Sequence, residues 1–237
     1  PPGIIQHEIP KSSGRYYDPS IEFSTFQDIP AEKKELFYKL NKKNYLTNKD
    51  VYYQPPYEGI ISYFEGHTKP CFLSFMYTYK PLINYRKKQL TPRQKCIGTM
   101  TTRPLNISLH GKKLDVYYVD YLCVAKDKRK QGIAPKLIYT HYVKSRQNHA
   151  TSAYLFKREG AATFIVPMTC YYTYGFYANN FKIEKDPVPP LLVTSLTFHL
   201  FYNFMKKVSP NILCYVHADF SNIKLLLEKK QLFIYLL

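Results

Sequence analysis

The feature that most constrains the fold is an apolar strand that runs through a basic loop directly into an amphipathic helix. The strand is VYYVDYLCV at 116–124, and the loop AKDKRKQGIA follows at 125–134. A helix is predicted after the loop because apolar side chains recur there at helical spacing, namely Ile133, Leu137, Ile138, His141 and Tyr142. A strand that leads into a helix in this way indicates a layered α/β fold.

Other strands and helices alternate around this unit. Strands are predicted at 21–26, 71–79, 96–103, 114–124 and 153–156, with a basic turn at 84–95. Helices are predicted at 30–46, 55–66, 131–147 and 168–177. Past 185 the pattern indicates helices at 196–207 and 219–230, a strand at 212–216 and a terminal strand. We expect an α/β (α+β) fold with a mixed, mostly antiparallel sheet, as one domain at 21–237 after an extended arm at 1–20.

The charge balance indicates what kind of partner the chain meets. The sequence has 34 Lys and Arg residues against 17 Asp and Glu residues, which gives a formal net charge of +17. Such a field favours polyanions: nucleic acid, an acidic membrane, or a ligand that bears several phosphates. Hydrophobic residues at 45% and charged residues at 22% are typical of a globular protein, so disorder and collagen-like structure are excluded.

Cysteine usage and the N-terminal sequence bear on the compartment. The five cysteines include no CxxC pair, so neither a zinc site nor a disulfide framework is predicted. No apolar run is long enough to cross a bilayer, and PPGIIQHEIPKSSG has no signal core. We therefore expect a cytoplasmic protein that is not transmembrane. The abundance of Lys, Asn, Tyr and Ile is typical of an AT-rich genome, and for a viral protein the location would be host cytoplasm or virion.

The loop before the central helix has the composition of a diphosphate site. A helix start presents unpaired main-chain N–H groups and the positive end of the helix dipole. Gly132 and Ala134 let an anion approach the main chain, and positive charges lie beside them at Lys126, Lys128, Arg129 and Lys130. The loop is neither a Walker loop nor a GxGxxG turn. The same composition is also found at solvated helix starts that bind nothing.

A family resemblance distinguishes these two interpretations. Arg-x-x-Gly-x-Ala resembles the CoA-binding motif of the GCN5-related N-acetyltransferase (GNAT) superfamily. YLCVAKDKRKQGIAPKLI at 121–138 resembles the CoA-binding segment in the N-terminal half of the N-myristoyltransferases, and weaker similarity extends over about 5–180. Two departures stand out. The chain has room for only one of the two tandem halves of that family, and Gly132 stands where the family usually has a basic residue. Residues 185–237 match poorly.

The resemblance implies a central sheet with helices on both faces and a CoA-dependent N-acyltransferase. Acyl-CoA, either acetyl-CoA or myristoyl-CoA, would be the donor, and an amine, most simply a peptide or protein N-terminus, would be the acceptor. The main-chain N–H groups of Tyr121 and Leu122, at a splay in the strand, would polarise the thioester carbonyl. The residues implied in CoA binding are Cys123, Val124, Lys126, Lys128, Arg129, Lys130, Gln131, Gly132, Ile133, Ala134 and Pro135.

The sequence gives weaker evidence for the residues that transfer protons than for those that bind CoA. By resemblance, Tyr171 on the predicted helix at 168–177 would protonate the departing thiolate. The carboxylate of the last residue, Leu237, and the side chain of Asp120 are the two candidate bases. We expect Cys123 to be an inert thiol, since an apolar strand raises the pKa of a cysteine, and His141 to be a core histidine.

The sequence is also compatible with two other functions. The +17 charge and 24 tyrosines could serve a nucleic-acid-binding module in which aromatic rings stack on bases. The basic residues are scattered over several loops, however, and no RNP-like strand or zinc knuckle is present in the sequence. The other alternative is a GNAT-like protein that binds CoA without catalysis.

Overall fold

The structure is a computed structural model. It describes residues 8–46, 53–84, 89–149, 153–157, 174–175, 177, 189–209, 212–217 and 219–236. The strands are β1 (Glu22–Thr25), β2 (Phe72–Asn84), β3 (Gln89–Leu109), β4 (Lys112–Val124), β5 (Tyr154–Phe156), β6 (Leu191–Leu192), β7 (Cys214–His217) and β8 (Tyr235–Leu236). The helices are α1 (Ala31–Asn44), α2 (Tyr57–Ser62), α3 (Ile133–Asn148), α4 (Phe198–Val208) and α5 (Phe220–Glu228).

Six strands form one sheet in the order β1–β2–β3–β4–β5, with β7 pairing the far end of β3. Every described pairing in it is antiparallel except that of β4 with β5, which is parallel. β6 and β8 form a separate two-stranded ribbon. The prediction of an α/β fold with a mixed, mostly antiparallel sheet is confirmed.

Apolar clusters lie on the two faces of the sheet and hold the helices there. On one face the aromatic rings of Phe26, Phe37 and Phe64 pack together, which joins α1 and α2 to the sheet. On the other face Ile133 and Leu137 of α3 pack on the sheet in a smaller cluster. Helices therefore cover both faces, as predicted.

The predicted basic turn at 84–95 is wrong for most of its length. Residues 89–95 belong to β3, which pairs with β2 as far as Asn84 opposite Gln89. Main-chain hydrogen bonds between paired strands are independent of side-chain charge. A strand with basic residues such as Arg93 and Lys95 can therefore stay extended, although its composition is typical of a loop.

The N-terminal arm lies against α3. The main-chain N–H of Asp18 donates to Oγ1 of Thr140 at 2.9 Å, and the Asp18 carboxylate accepts from Nζ of Lys136 at 3.1 Å. Farther out, the hydroxyl of Tyr139 donates to the carbonyl of Ser13 at 3.1 Å. These contacts help to fix the helix in place.

His141 is a core residue, as predicted. It is fully buried, and its two ring nitrogens lie 2.8 Å from Oγ of Ser74 and 2.9 Å from Oγ1 of Thr102. Burial lowers the pKa of His141 to about 3, so that the ring is neutral at physiological pH. The side chain links α3 to β2 and β3 and is not available as a base.

Within the described residues, no helix combines the length and hydrophobicity needed to cross a bilayer.

Candidate active site

The loop between β4 and α3 forms a concave main-chain surface. A short 3-10 turn at Lys126–Lys128 follows the strand, and left-handed backbone conformations follow at Lys130 (φ 62°) and Gly132 (φ 72°). Gly132 is the N-cap of α3 and has no side chain with which to cap the helix. The free N–H groups of the first turn, together with the positive end of the helix dipole, can therefore bind an anion.

A cavity of about 1020 Å³ opens between this loop, the end of β4 and the end of α1. This is at the upper end of the range for ligand sites, which suits a large, extended ligand. It is lined by Asn44, Tyr45, Leu46, Leu122, Cys123, Val124, Lys128, Arg129, Lys130, Gly132, Ile133, Ala134 and Pro135. Nine of the eleven residues predicted to bind CoA are in this set, and Lys126 and Gln131 are the two that are not.

Asn44 ties the loop to the end of α1. Its side-chain amide donates to the carbonyl of Leu40 at 2.8 Å, and its side-chain oxygen accepts from the main-chain N–H of Lys126 at 3.0 Å. Sequence reasoning missed this residue. The available signal was an Asn in the last turn of a predicted helix, but the partner at Lys126 depends on the tertiary fold.

Arg129 lines the cavity and also makes two hydrogen bonds within the fold. Its guanidinium donates through Nη2 to the carbonyl of Asn44 at 2.6 Å and through Nε to the carbonyl of Val124 at 3.2 Å. It therefore links the end of α1, the end of β4 and the loop. Lys128 and Lys130 remain as side-chain cations at the cavity wall.

A bulge interrupts β4 where the splay was predicted. Thr99 of β3 pairs with Cys123, whereas Thr101 pairs with Asp120, so that Met100 lies opposite both Tyr121 and Leu122. Tyr121 has a φ of 43°. A bulge disrupts the ladder locally and redirects main-chain N–H groups.

The other edge of β4 is open at the same level. The described pairing with β5 ends at Val119 opposite Phe156. Within the described part of the chain, no strand pairs with Asp120–Val124 on that side. The bulge lies next to Leu122, Cys123 and Val124, which line the cavity.

Asp120 lies immediately before the bulge in a largely buried ion pair. Its Oδ2 accepts from Nε of Arg103 at 3.0 Å, and the guanidinium of Arg103 lies over the rings of Tyr63 and Tyr118, at 4.6 and 5.3 Å from their centroids. Burial raises the pKa of Asp120 to about 6, and the charge of Arg103 opposes this rise. A carboxylate with such a pKa is ionised at neutral pH and can still accept a proton readily.

The side chain of Tyr121 points into an aromatic cluster. Its hydroxyl lies 2.6 Å from the hydroxyl of Tyr53, and its ring lies 5.1 Å from that of Tyr45, which also lines the cavity. Burial raises the pKa of Tyr121 and raises that of Tyr45 to about 12, so both are neutral phenols. Tyr45 and Tyr53 were missed because nothing in their local sequence distinguishes them among the many tyrosines.

Cys123 is buried at the cavity wall. Burial raises the pKa of its thiol to about 12, against the opposing charge of Arg129. At neutral pH the residue is a protonated thiol, in agreement with the expectation that it is inert. Tyr171 and Leu237, the remaining predicted proton-transfer residues, lie outside the described residues. Within the described residues, no group of three or more His, Cys, Asp and Glu side chains could hold a metal ion.

Known proteins resemble the chain in a domain model and in fold. Residues 82–177 match the family model of the acetyltransferase (GNAT) domain. A crystal structure of Saccharomyces cerevisiae N-myristoyltransferase with bound myristoyl-CoA superposes with a TM-score of 0.58 at 11% identity, over 93% of this chain and 52% of that one. A second structure of that enzyme with myristoyl-CoA gives a TM-score of 0.51 at 13% identity, over 88% and 52%. No curated protein matches the sequence.

The chain thus has a GNAT-like fold that resembles N-myristoyltransferase, and it spans about half the length of those enzymes. The matched segment 82–177 contains the bulge, the loop and α3.

Proposed function

We propose that the chain is an acyl-CoA-dependent N-acyltransferase whose acceptor is the N-terminal amine of a peptide or protein. The observation that carries the proposal is the cavity that joins the β4 bulge to the uncapped start of α3. A CoA thioester needs a diphosphate site and a carbonyl-polarising site in one continuous groove. Both would lie on the main chain of the segment Tyr121–Ala134.

The main-chain amides at Lys130–Ala134 would bind the diphosphate, with Lys128 and Lys130 adding charge. The N–H groups of Tyr121 and Leu122 would donate to the carbonyl oxygen of the thioester, where negative charge develops during acyl transfer. These donors belong to a strand and a helix fixed by Asn44 and Arg129, so they need little reorganisation.

Asp120 is the proposed base for the incoming amine. The amine attacks the carbonyl carbon, the carbon–sulfur bond breaks, and the proton lost by nitrogen passes to the Asp120 carboxylate. The thiolate of CoA takes up a proton, for which Tyr171 stays the predicted donor. Acetyl-CoA and myristoyl-CoA share the groups that this groove would bind, so the proposal covers both as donors.

We expect Asp120→Asn to lower kcat/KM by 10²- to 10⁴-fold, the usual contribution of a general base, while the Kd for acyl-CoA stays within about twofold. In the wild-type protein, kcat/KM corrected for the free-amine fraction of the peptide should rise with pH and level off above an apparent pKa of about 6, because only ionised Asp120 accepts a proton. The assay measures transfer from acetyl-CoA and from myristoyl-CoA to peptides with free N-termini.

Two variants test the assignment. Arg103→Met should move the midpoint of the pH profile upward, since Arg103 holds the pKa of Asp120 down. Asp115→Asn is the matched control, because Asp115 lies on the same strand in an ion pair with Lys69 at 2.6 Å, away from the bulge. The base assignment is wrong if Asp115→Asn and Asp120→Asn have equal effects on kcat/KM.

A further inference from the structure

The C-terminal segment, residues 189–236, exposes many of its large apolar side chains. Of the twenty-one exposed large hydrophobic residues found in the described chain, eleven lie in this segment. Among the described residues of the segment, Val193 alone belongs to the buried hydrophobic core. Contiguous exposed apolar surface on a soluble domain usually marks a binding site.

Helix α4 shows how these side chains are arranged. On one side, Phe198, Phe201 and Tyr202 lie against the ring of Phe220 in α5, at centroid distances of 6.4, 6.0 and 5.1 Å. Another side carries a stripe at four-residue spacing, formed by Leu196 just before the helix and by Leu200 and Phe204 within it. These three side chains are 87%, 39% and 49% exposed. We call them the α4 stripe.

Polar contacts attach this segment to the body of the domain. Asp219, the N-cap of α5, accepts from the main-chain N–H of Thr68 at 2.7 Å and from that of Ser221 at 2.9 Å. The amide of Asn222 donates to the carbonyls of Ser62 at 3.2 Å and Glu65 at 2.6 Å. These hydrogen bonds hold α5 against the body of the domain, while the α4 stripe stays exposed.

The charged residues near the α4 stripe indicate which kind of partner it binds. Lys206 and Lys207 end α4, and Lys224, Lys229 and Lys230 lie on or just after α5. The acidic residues of the segment are Glu228 and the buried cap Asp219. Two copies of a chain with a net charge of +17 repel each other, which disfavours a second copy as the occupant. An amphipathic helix with Phe and Leu on one face and Lys beside it is typical of helices that lie in an anionic membrane surface.

We propose that the α4 stripe docks on an anionic lipid surface, with Leu196, Leu200 and Phe204 entering the headgroup boundary and Lys207, on the same side of the helix, contacting lipid phosphates and carboxylates. This is surface binding by an amphipathic helix and requires no spanning segment. The stripe shares no residue with the cavity at the β4 bulge, so the proposal does not rest on acyl transfer.

The test is co-sedimentation of the full chain with vesicles of phosphatidylcholine alone and of phosphatidylcholine with 30% phosphatidylserine. We expect binding to the anionic vesicles that is at least tenfold stronger and that weakens with added salt. Leu196→Ser combined with Phe204→Ser should reduce the partition coefficient at least tenfold, because two apolar side chains no longer enter the lipid. Lys206→Gln combined with Lys207→Gln should reduce it to a similar extent.

Leu114→Ser is the matched control, since Leu114 is 44% exposed on the β3–β4 hairpin, and it should bind anionic vesicles as the wild type does. Melting curves of all variants verify that each is folded. Equal binding to neutral and anionic vesicles, or unchanged binding by the Leu196/Phe204 variant, overturns the proposal. So does a stable dimer in sedimentation equilibrium that the Leu196/Phe204 variant converts to monomer, since a second copy would then occupy the stripe.

Discussion

Replacing Gly132 with Asp should weaken acyl-CoA binding by about 100-fold. Two effects add. A side chain at a φ of 72° strains the backbone, and a carboxylate at the start of α3 repels the diphosphate with an energy of several kcal/mol at the effective dielectric of a protein surface. A Cβ at Gly132 would have no atom within 4 Å, so the substitution introduces no direct clash. Calorimetric titration with acetyl-CoA and myristoyl-CoA measures the loss.

Gly111→Asp is an unusually close control. Gly111 has a φ of 74°, a Cβ there would also have no atom within 4 Å, and it lies in the β3–β4 turn, away from the cavity. Both variants therefore carry the same backbone strain and the same added charge. We expect Gly111→Asp to lower the melting temperature about as much as Gly132→Asp and to leave the Kd for acyl-CoA within about twofold. Equal losses of affinity in the two variants would argue against a diphosphate site at α3.

Replacing Gly98 with Val should destabilise the sheet, lowering the free energy of unfolding by about 2–3 kcal/mol. A Cβ at Gly98 would lie 2.7 Å from Cδ1 of Leu137 and 3.3 Å from Cγ2 of Ile133, both on buried parts of α3. Valine is otherwise favourable in a strand, so the loss would arise from the clash. The melting temperature should fall by about 4–12 °C.

A double-mutant cycle with Leu137→Ala isolates that clash. The alanine removes the atom that a new side chain at Gly98 would meet, so the double variant should be more stable than the sum of the two single changes predicts by at least about 1 kcal/mol. Strict additivity would mean that α3 does not pack closely on Gly98. The first turn of α3 supplies main-chain amides to the cavity, so Gly98→Val should also weaken acyl-CoA binding. The double variant should regain part of the lost affinity.

The central part of the fold could be predicted because its signals are local. The apolar strand, the glycine-containing loop and the helical stripe are adjacent in sequence, and the helix at Ile133–Asn148 lies within two residues of its predicted bounds. The C-terminal helices and strand also have local patterns and are present as predicted. The pairing of β7 with the far end of β3 joins residues about one hundred positions apart, and no local pattern encodes it.

The parts of the site that were missed depend on close approach in three dimensions. Gly98 matters because α3 crosses directly over it, and Asn44 matters because the end of α1 meets the loop after β4. Arg129 has the sequence context of a phosphate ligand, yet two main-chain carbonyls lie within reach of its guanidinium. A hydrogen-bonding side chain pairs with whatever acceptors the fold brings near it. Residue type therefore indicated which residues line the cavity better than it indicated their hydrogen-bond partners.

Diphosphate binding at the start of α3 can be tested directly by NMR. Main-chain amide chemical shifts of the full chain are measured on addition of coenzyme A and, separately, of pantetheine, which lacks the diphosphate. We expect coenzyme A to shift the amides of Leu122–Val124 and of Lys130–Ala134, and pantetheine to shift only the first group. If coenzyme A leaves the amides of Lys130–Ala134 unchanged, the start of α3 does not bind the diphosphate and the central claim is wrong.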